Sequence, residues 1–288
     1  YILENCNISH MALMRNLRNI FSEIDNVAIA DAVIAELKCG VLHGKQFPFR
    51  YYSAYKAIRN SDVHHKDILL DALEDCVDIS IENMPQLSGK TICLTDNSGS
   101  AWGTIPTEYG SVTVAEIDNL SSILTAKRSD EGYVGVFGDM LKIIPISKND
   151  KVLRKLSEIN KIGKNIGMNT EGGIWTFFQK ATKNKDKFDN IFIYSDMQAG
   201  HGELYGTSSQ QAEYRNAQCS CGMYINVFQC LLNYRSQVYK DVNMFSVQTA
   251  GYNNSVLPEY AYHTAMMSGW TGKEALFAKM LIDIWNNN

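Results

Sequence analysis

The chain has 288 residues, of which 45% are hydrophobic and 20% are charged, and its formal net charge is −4. These values are ordinary for a globular protein of one large or two average domains. No apolar run approaches the about 18–20 residues that span a bilayer, which excludes a membrane-spanning protein. The first ten residues, YILENCNISH, lack the basic and apolar regions of a signal peptide.

The seven cysteines are scattered along the chain and odd in number. Cys39, Cys76 and Cys93 stand among apolar neighbours, which is typical of buried free thiols. The pair in QCSCG, Cys219 and Cys221, lacks a second pair at the spacing of zinc ligands. The cysteine pattern therefore favours a reducing, cytoplasmic setting.

Residues 1–86 are predicted to form a series of α-helices. Apolar residues recur at helical spacing in HMALMRNLRNIFSEI, NVAIADAVIAELKCG, FPFRYYSAYKAIRN and HKDILLDALEDCVDISIENM. Gly40 is placed to end the second helix, Pro48 to begin the third and Pro85 to stop the fourth. Nothing in this segment indicates a strand.

Residues 87–288 are predicted to form an α/β domain. Short apolar runs such as KTICLTD, EGYVGVFGD, LKIIPIS, DNIFIYSDM and VNMFSVQTAG read as strands, and amphipathic segments such as VTVAEIDNLSSILTAKR, KVLRKLSEINKIG, GGIWTFFQKATK and GKEALFAKMLIDIW read as helices. Apolar strands that alternate with helices indicate a mostly parallel sheet covered on both faces.

Two of the predicted strands end in an acid, ICLTD at Asp96 and IFIYSD at Asp196. In open α/β sheets, ligands bind beyond the carboxyl ends of the strands, where the strand order reverses. Ser98 and Ser100 follow the first of these strands, and Thr170 lies in a polar loop that opens a helix. The five side chains offer only oxygen, which is the ligand type of a hard cation such as Mg²⁺.

The spacing of DNSGS supports a metal site, although the same composition is also common in turns. We expect Gly99 to let the backbone fold tightly, so that the hydroxyls of Ser98 and Ser100 face one point. Neutral hydroxyl ligands would leave the cation poorly neutralised. A carboxylate or phosphate from outside the protein could then complete its coordination.

Asp-x-Ser-x-Ser after an apolar strand, with a later Thr and a later strand-terminal Asp, resembles the metal-ion-dependent adhesion site of von Willebrand factor A domains. The resemblance implies that Ser98, Ser100 and Thr170 contact the metal. It also implies that Asp96 and Asp196 bind the metal or hold its waters and hydroxyls in place. In that family the metal binds an acidic side chain of a partner and catalyses nothing.

The whole chain also resembles the C-terminal part of the Ro autoantigen (TROVE-domain) family, through HMALMRNLRNI, FPFRYYSAYKAI, LTDNSGS, NTEGG, IYSDMQAGHG and SGWTGKEALFAKMLIDIW. In that family a ring of HEAT-like helical repeats is closed by an A-type domain. The resemblance implies a cytoplasmic ribonucleoprotein component that binds small non-coding Y-type RNA or misfolded RNA, with a partner such as a ribonuclease at the metal. The family's ring is much longer than the helical segment here, and Asn169-Thr170-Glu171 stands where the family often has Gly-Thr-Asp.

Basic and aromatic side chains in the helical segment could contact RNA. Residues 142–190 also carry 11 Lys or Arg against 5 Asp or Glu, which indicates a basic surface. For the side chains of the helical segment and for the basic stretch alike, the alternative is a helix face that faces solvent or packs against its neighbours without binding RNA. The candidate RNA-binding residues are Arg15, Arg18, Arg50, Tyr52, Lys56, Arg59, Lys151 and Lys155.

Two other functions are alternatives to RNA binding. An aspartyl-nucleophile phosphatase would use Asp96, but such enzymes usually carry a second Asp two positions on, where this chain has Ser98. A phosphate-binding P-loop and a Gly-x-Ser-x-Gly elbow are both absent from the sequence. We therefore expect no catalysis, and the remaining alternative is a metal-dependent protein adaptor that binds no RNA.

Overall fold

A computed structural model describes residues 8–107, 110–168, 171–197, 203–205, 224–252, 255–258, 261–270 and 272–287. They form two compact units. The first holds the residues up to Met84 together with Lys151–Leu153, and the second holds Pro85–Asp150 and the residues from Arg154 onward. Among the helices so described, none has the length and apolar character of a membrane span.

From residue 8 onward, the first unit contains four α-helices, as predicted. They are α1 (His10–Glu23), α2 (Val27–His43), α3 (Pro48–Arg59) and α4 (Lys66–Ser80). Ser9 and Asn26 begin α1 and α2 by accepting hydrogen bonds from backbone N–H groups of the first turn, which satisfies donors that a helix leaves open. The helices share a core of fully buried side chains that includes Leu17, Phe21, Leu37, Tyr51 and Leu73.

The prediction that Gly40 ends α2 was wrong, because the helix continues to His43. Gly40 is required for packing instead. A Cβ atom at this position would collide with the imidazole of His10. That imidazole is held by a hydrogen bond between its Nε2 and the hydroxyl of Tyr51, at 2.6 Å.

The second unit contains a six-stranded sheet. Its strands are β1 (Leu87–Asp96), β4 (Ser129–Phe137), β5 (Leu141–Ile146), β6 (Asn190–Ser195), β9 (Asn243–Gln248) and β10 (Thr264–Ser268). They lie side by side in the order β10-β9-β6-β1-β4-β5. All neighbouring pairs are parallel except β4 and β5. The predicted α/β fold with a mostly parallel sheet is therefore confirmed.

Helices lie on both faces of the sheet. α5 (Val114–Lys127) packs against β1, β4 and β6 on one face, and α7 (Glu171–Asn184) and α8 (Val227–Gln237) share a core with β1 on the other. The remaining helices are α6 (Val152–Gly163) and α9 (Lys273–Asn286), of which α9 contacts β9 and β10. Successive side chains of a strand point to opposite faces. Ile92 and Leu94 of β1 accordingly join the core with α7 and α8, whereas Thr95 contacts Asn119 of α5.

Several elements were not predicted from the sequence. They are α8, β10, the hairpin of β2 (Thr104–Thr107) with β3 (Gly110–Thr113), and the pair of β7 (Glu203–Tyr205) with β8 (Tyr224–Asn226). The expectation that Cys39 is buried was also wrong, since this thiol is exposed while Cys76 and Cys93 are buried. Cys219 and Cys221 lie outside the described residues.

The strand order reverses between β1 and β6. After β1 the chain forms α5 and then β4 on one side of β1, and it later returns to place β6 on the other side. In sheets of this kind a ligand binds at the carboxyl ends of the strands on either side of the reversal. Asp96 ends β1 and Ser195 ends β6 at this position.

Candidate metal centre

The two strand-terminal aspartates lie at this reversal point and are almost fully buried, with Asp96 at 0% and Asp196 at 3% exposure. A buried carboxylate must be compensated by hydrogen bonds, an opposite charge or a bound cation. The surroundings of the two residues therefore determine what this edge of the sheet can bind.

Both carboxylate oxygens of Asp96 receive hydrogen bonds from the protein. Oδ1 accepts from the backbone N–H of Ser98 at 2.8 Å, and Oδ2 accepts from the hydroxyl of Ser195 at 2.5 Å. Asp96 thus links the ends of β1 and β6 and fixes the start of the loop that carries the two serines. This arrangement suits a residue that orients the ligands of a metal.

The hydroxyl oxygens of Ser98 and Ser100 are 3.3 Å apart. Two ligands on neighbouring positions of an octahedral Mg²⁺, each at about 2.0–2.1 Å, lie about 2.9 Å apart. A shift of a few tenths of an ångström would bring both hydroxyls onto one cation. Ser98 is buried and Ser100 is exposed, so the pair faces from the interior toward solvent.

Gly99 does not play the role that the sequence suggested. Its φ is −58° and its ψ is −39°, which any residue adopts. The loop is held by other contacts: the N–H of Gly99 donates to the carbonyl of Met168 at 2.8 Å, and the N–H of Asn97 donates to the carbonyl of Phe137 at 2.9 Å. The tightness of the turn therefore comes from neighbouring segments and not from glycine flexibility.

A network of side-chain amides, which was not predicted from the sequence, supports the loop from α5. Asn119 accepts from the hydroxyl of Thr95 at 2.7 Å and from Nδ2 of Asn97 at 2.9 Å. It donates to Oδ1 of Asn97 at 3.0 Å and to Oδ1 of Asn160 at 2.8 Å. The signal in the sequence is the polar pair Asp118-Asn119 between the apolar residues Ile117 and Leu120.

A third carboxylate lies at the same edge. Asp118 of α5 is fully buried, and the charges of Asp96 and Asp196 act on it. Burial raises the pKa of Asp118 well above its ordinary value, whereas the hydroxyl of Thr249 favours its ionised form. Thr249 is tied to the site because its N–H donates to the carbonyl of Ser195 at 3.2 Å.

The same physical causes act on Asp96. Burial, followed by the charge of Asp196, raises the pKa of Asp96 to about 6, and the hydrogen bonds from Ser195 and Ser98 oppose this rise. A divalent cation beside these groups would favour their ionised forms.

The described donors fit a hard cation bound mainly through hydroxyl oxygens. Asp96, Ser98, Ser100 and Asp196 lie on the loops that follow β1 and β6, whereas Thr170 lies outside the described residues. Within the described part of the chain, no group of three or more His, Cys, Asp and Glu side chains forms a metal site on its own. A cation here would therefore depend on the two serine hydroxyls.

The candidate RNA-binding residues of α1 and α3 differ in accessibility. Arg15, Arg18 and Arg59 are exposed, and Arg50 and Lys56 are half-buried. Tyr52 is buried at 8% exposure, with the Lys56 ammonium 5.8 Å from its ring centroid. Burial argues against Tyr52 stacking on a base, and the exposed arginines are the more accessible candidates.

The two candidate lysines are engaged in ion pairs. Nζ of Lys151 lies 2.8 Å from Asp75 and 3.1 Å from Asp78, and hydrogen bonds to these carboxylates raise the pKa of Lys151. Nζ of Lys155 lies 3.0 Å from Glu158 and 3.9 Å from Asp150. An RNA phosphate would have to compete with these carboxylates.

The architecture is thus a helical segment followed by an α/β unit of the von Willebrand factor A type. Among solved structures, the chain is similar to the Ro (RSR) protein of Deinococcus radiodurans, with a TM-score of 0.70 and 13% sequence identity. The match covers 97% of this chain and 53% of the Ro protein, so the chain spans about half the length of that protein. No family model and no curated protein sequence matches the chain. The resemblance to Ro is confirmed at the level of the fold.

Proposed function

We propose that the chain is a non-catalytic RNA-binding component of a ribonucleoprotein, resembling Ro, that binds small non-coding Y-type RNA or misfolded RNA. Its α/β unit would hold Mg²⁺ or another divalent cation that docks an acidic ligand, such as a side chain of a ribonuclease. The proposal is supported by the approach of the hydroxyl oxygens of Ser98 and Ser100 to 3.3 Å, on a fold shared with a Ro protein over nearly the whole chain.

The cation would bind through Ser98, Ser100 and Thr170, with Asp96 and Asp196 holding hydroxyls or waters in place. It would supply a positive charge and an open coordination position at the edge of the sheet. Asp96 supports this division of roles, because both of its oxygens already accept hydrogen bonds from protein groups. A carboxylate from a partner could then reach the cation.

RNA binding is tested by fluorescence anisotropy with a structured small RNA and with single-stranded RNA over a series of salt concentrations. We expect the affinity to fall steeply as the salt concentration rises. The double variant Arg15→Gln/Arg18→Gln should weaken binding and lower the salt slope by about 1 for each phosphate contact removed. The control is Lys240→Gln/Lys273→Gln, which removes two exposed charges outside the candidate RNA-binding residues and outside the basic stretch 142–190, and it should leave the slope unchanged.

A metal-dependent adaptor without RNA binding is the second candidate. It is favoured by the burial of Tyr52 and by the ion pairs of Lys151 and Lys155. It predicts that the chain binds no RNA but retains an acidic peptide only in the presence of Mg²⁺, and that Ser98→Ala abolishes retention. If the chain binds neither RNA nor a divalent cation, both functions are refuted.

A further inference from the structure

Asp118 is a buried carboxylate to which no role has been assigned. It lies on α5 at 0% exposure, next to Asn119, whose side chain contacts Thr95 and Asn97 at the end of β1. It is close enough to Asp96 and Asp196 for their charges to act on it. Asp118 therefore belongs to the same buried polar cluster as the candidate metal ligands.

The carboxylate of Asp118 lacks the hydrogen bonds that a buried acid normally makes. Within the described residues, neither of its oxygens has a hydrogen-bond partner, and the hydroxyl of Thr249 has none either. The Thr249 hydroxyl lies near enough to favour the charged carboxylate, but the two groups do not complete a hydrogen bond. A buried acceptor left unpaired loses its hydration without compensation, and the loss is larger when the acceptor is charged.

We propose that Asp118 and Thr249 form the inner wall of the metal centre, where Asp118 accepts hydrogen bonds from water molecules bound to the cation and Thr249 orients its carboxylate. Mg²⁺ usually keeps several of its waters, and each water needs acceptors for its protons. Asp96 is already occupied by Ser98 and Ser195, whereas Asp118 has free acceptor capacity among the described residues. Asp118 is thus a positioning residue for the hydrated cation.

If Asp118 positions the hydrated cation, its substitution should change protein stability and cation affinity differently from the substitution of a residue that only supports the fold. A buried carboxylate beside two others destabilises the metal-free protein through repulsion and lost hydration. Asp118→Asn should therefore leave the metal-free protein as stable or raise its melting temperature. It should also weaken cation binding, because groups that orient the ligands of a metal typically contribute about 10–100-fold to affinity. A residue that only supports the fold would lower the stability.

The inference rests on the proposed metal site, so the experiment contains separate arms for the two. Mg²⁺ binding is measured by calorimetry and Mn²⁺ binding by electron paramagnetic resonance, with melting temperatures recorded with and without cation. Wild-type protein should bind, and Ser98→Ala should abolish binding. Asp118→Asn should weaken binding by about 10–100-fold, and the control Asp283→Asn, which removes an exposed carboxylate of α9, should have no effect.

Each outcome separates the inference from the site itself. If wild-type protein binds neither Mg²⁺ nor Mn²⁺, the metal site is refuted and the role of Asp118 with it. If Ser98→Ala loses the cation but Asp118→Asn binds as tightly as wild type, the site stands and the inference is overturned. Should Asp118→Asn fail to fold, Thr249→Val provides the test, because it removes only the hydroxyl. It should weaken binding by about tenfold, and unchanged binding by this variant would also overturn the inference.

Discussion

The variant Asn119→Ala tests whether the amide network holds the serine loop of the proposed metal site in place. Asn119 is fully buried and makes four hydrogen bonds, which join Thr95, Asn97 and Asn160 to α5. Truncation to Ala removes both the acceptor and the donor. The hydroxyl of Thr95 and the amide oxygen of Asn97 then lose these hydrogen bonds, although Nδ2 of Asn97 keeps its hydrogen bond to the carbonyl of Thr95. The amide oxygen of Asn160 also loses its donor, but Asn160 is half-buried and water can replace that hydrogen bond, so the two buried groups set the cost.

The size of the effect follows from these two groups. Each buried polar group left without a partner costs about 1–3 kcal/mol, so the free energy of unfolding should fall by about 2–6 kcal/mol. The lower value applies if water enters the space. Because Asn97 begins the serine loop, the affinity for Mg²⁺ should fall as well.

The free energy of unfolding is measured by urea titration, and cation affinity is measured by calorimetry. Asn119→Asp keeps the acceptor for Thr95 but places an oxygen against the oxygens of Asn97 and Asn160, so it should also destabilise. The control is Asn165→Ala, an exposed residue whose removal should change stability by less than about 0.5 kcal/mol. A loss below about 1 kcal/mol for Asn119→Ala, with unchanged cation affinity, would refute the reasoning.

Three further predictions concern other parts of the chain. Burial lowers the pKa of His10, so the folded state binds fewer protons than the unfolded state, and the free energy of unfolding should fall as the pH drops below about 6.5; burial also lowers the pKa of His263, so His10→Gln should make this slope shallower, without abolishing it, in urea titrations at several pH values. Cys39 is exposed while the other described cysteines are buried, so Cys39→Ser should remove a fast-reacting thiol in a labelling assay without changing the melting temperature. In Gly132→Ala the new Cβ would collide with the backbone carbonyl of Ala126, and overpacking of this kind should cost about 1–3 kcal/mol in urea unfolding; wild-type stability would contradict the described approach of α5 to β4.

The order of elements could be predicted because local patterns determined it. Helical spacing of apolar residues identified α1 to α4, and short apolar runs bounded by polar residues identified β1, β4, β6 and β9. The short strands β7 and β10 were missed because they have few residues and depend on pairing with distant segments. Gly40 was misassigned because its role depends on the approach of His10, which is remote in sequence.

Only the residues of the candidate site that lie at the ends of β1 and β6 could be predicted from the sequence. Asp96, Ser98 and Ser100 occupy one short motif, and Asp196 ends a recognisable strand, so each was visible locally. Asp118 and Asn119 were not, because a polar pair within a helix is usually solvent-exposed. Their burial results from the packing of α5 against β1, β4 and β6, which only the tertiary structure reveals.

The composition of the buried cluster is itself an argument for a bound cation. Asp96, Asp118 and Asp196 lie within reach of one another's charges. Like charges that are brought together in a buried site repel one another, so the ionised forms of these carboxylates would weaken the fold. A divalent cation at Ser98 would offset this repulsion, and a cation present at 100 times its dissociation constant stabilises the folded state by about 2.7 kcal/mol. The same groups that weaken the metal-free fold would then become the groups that retain the metal.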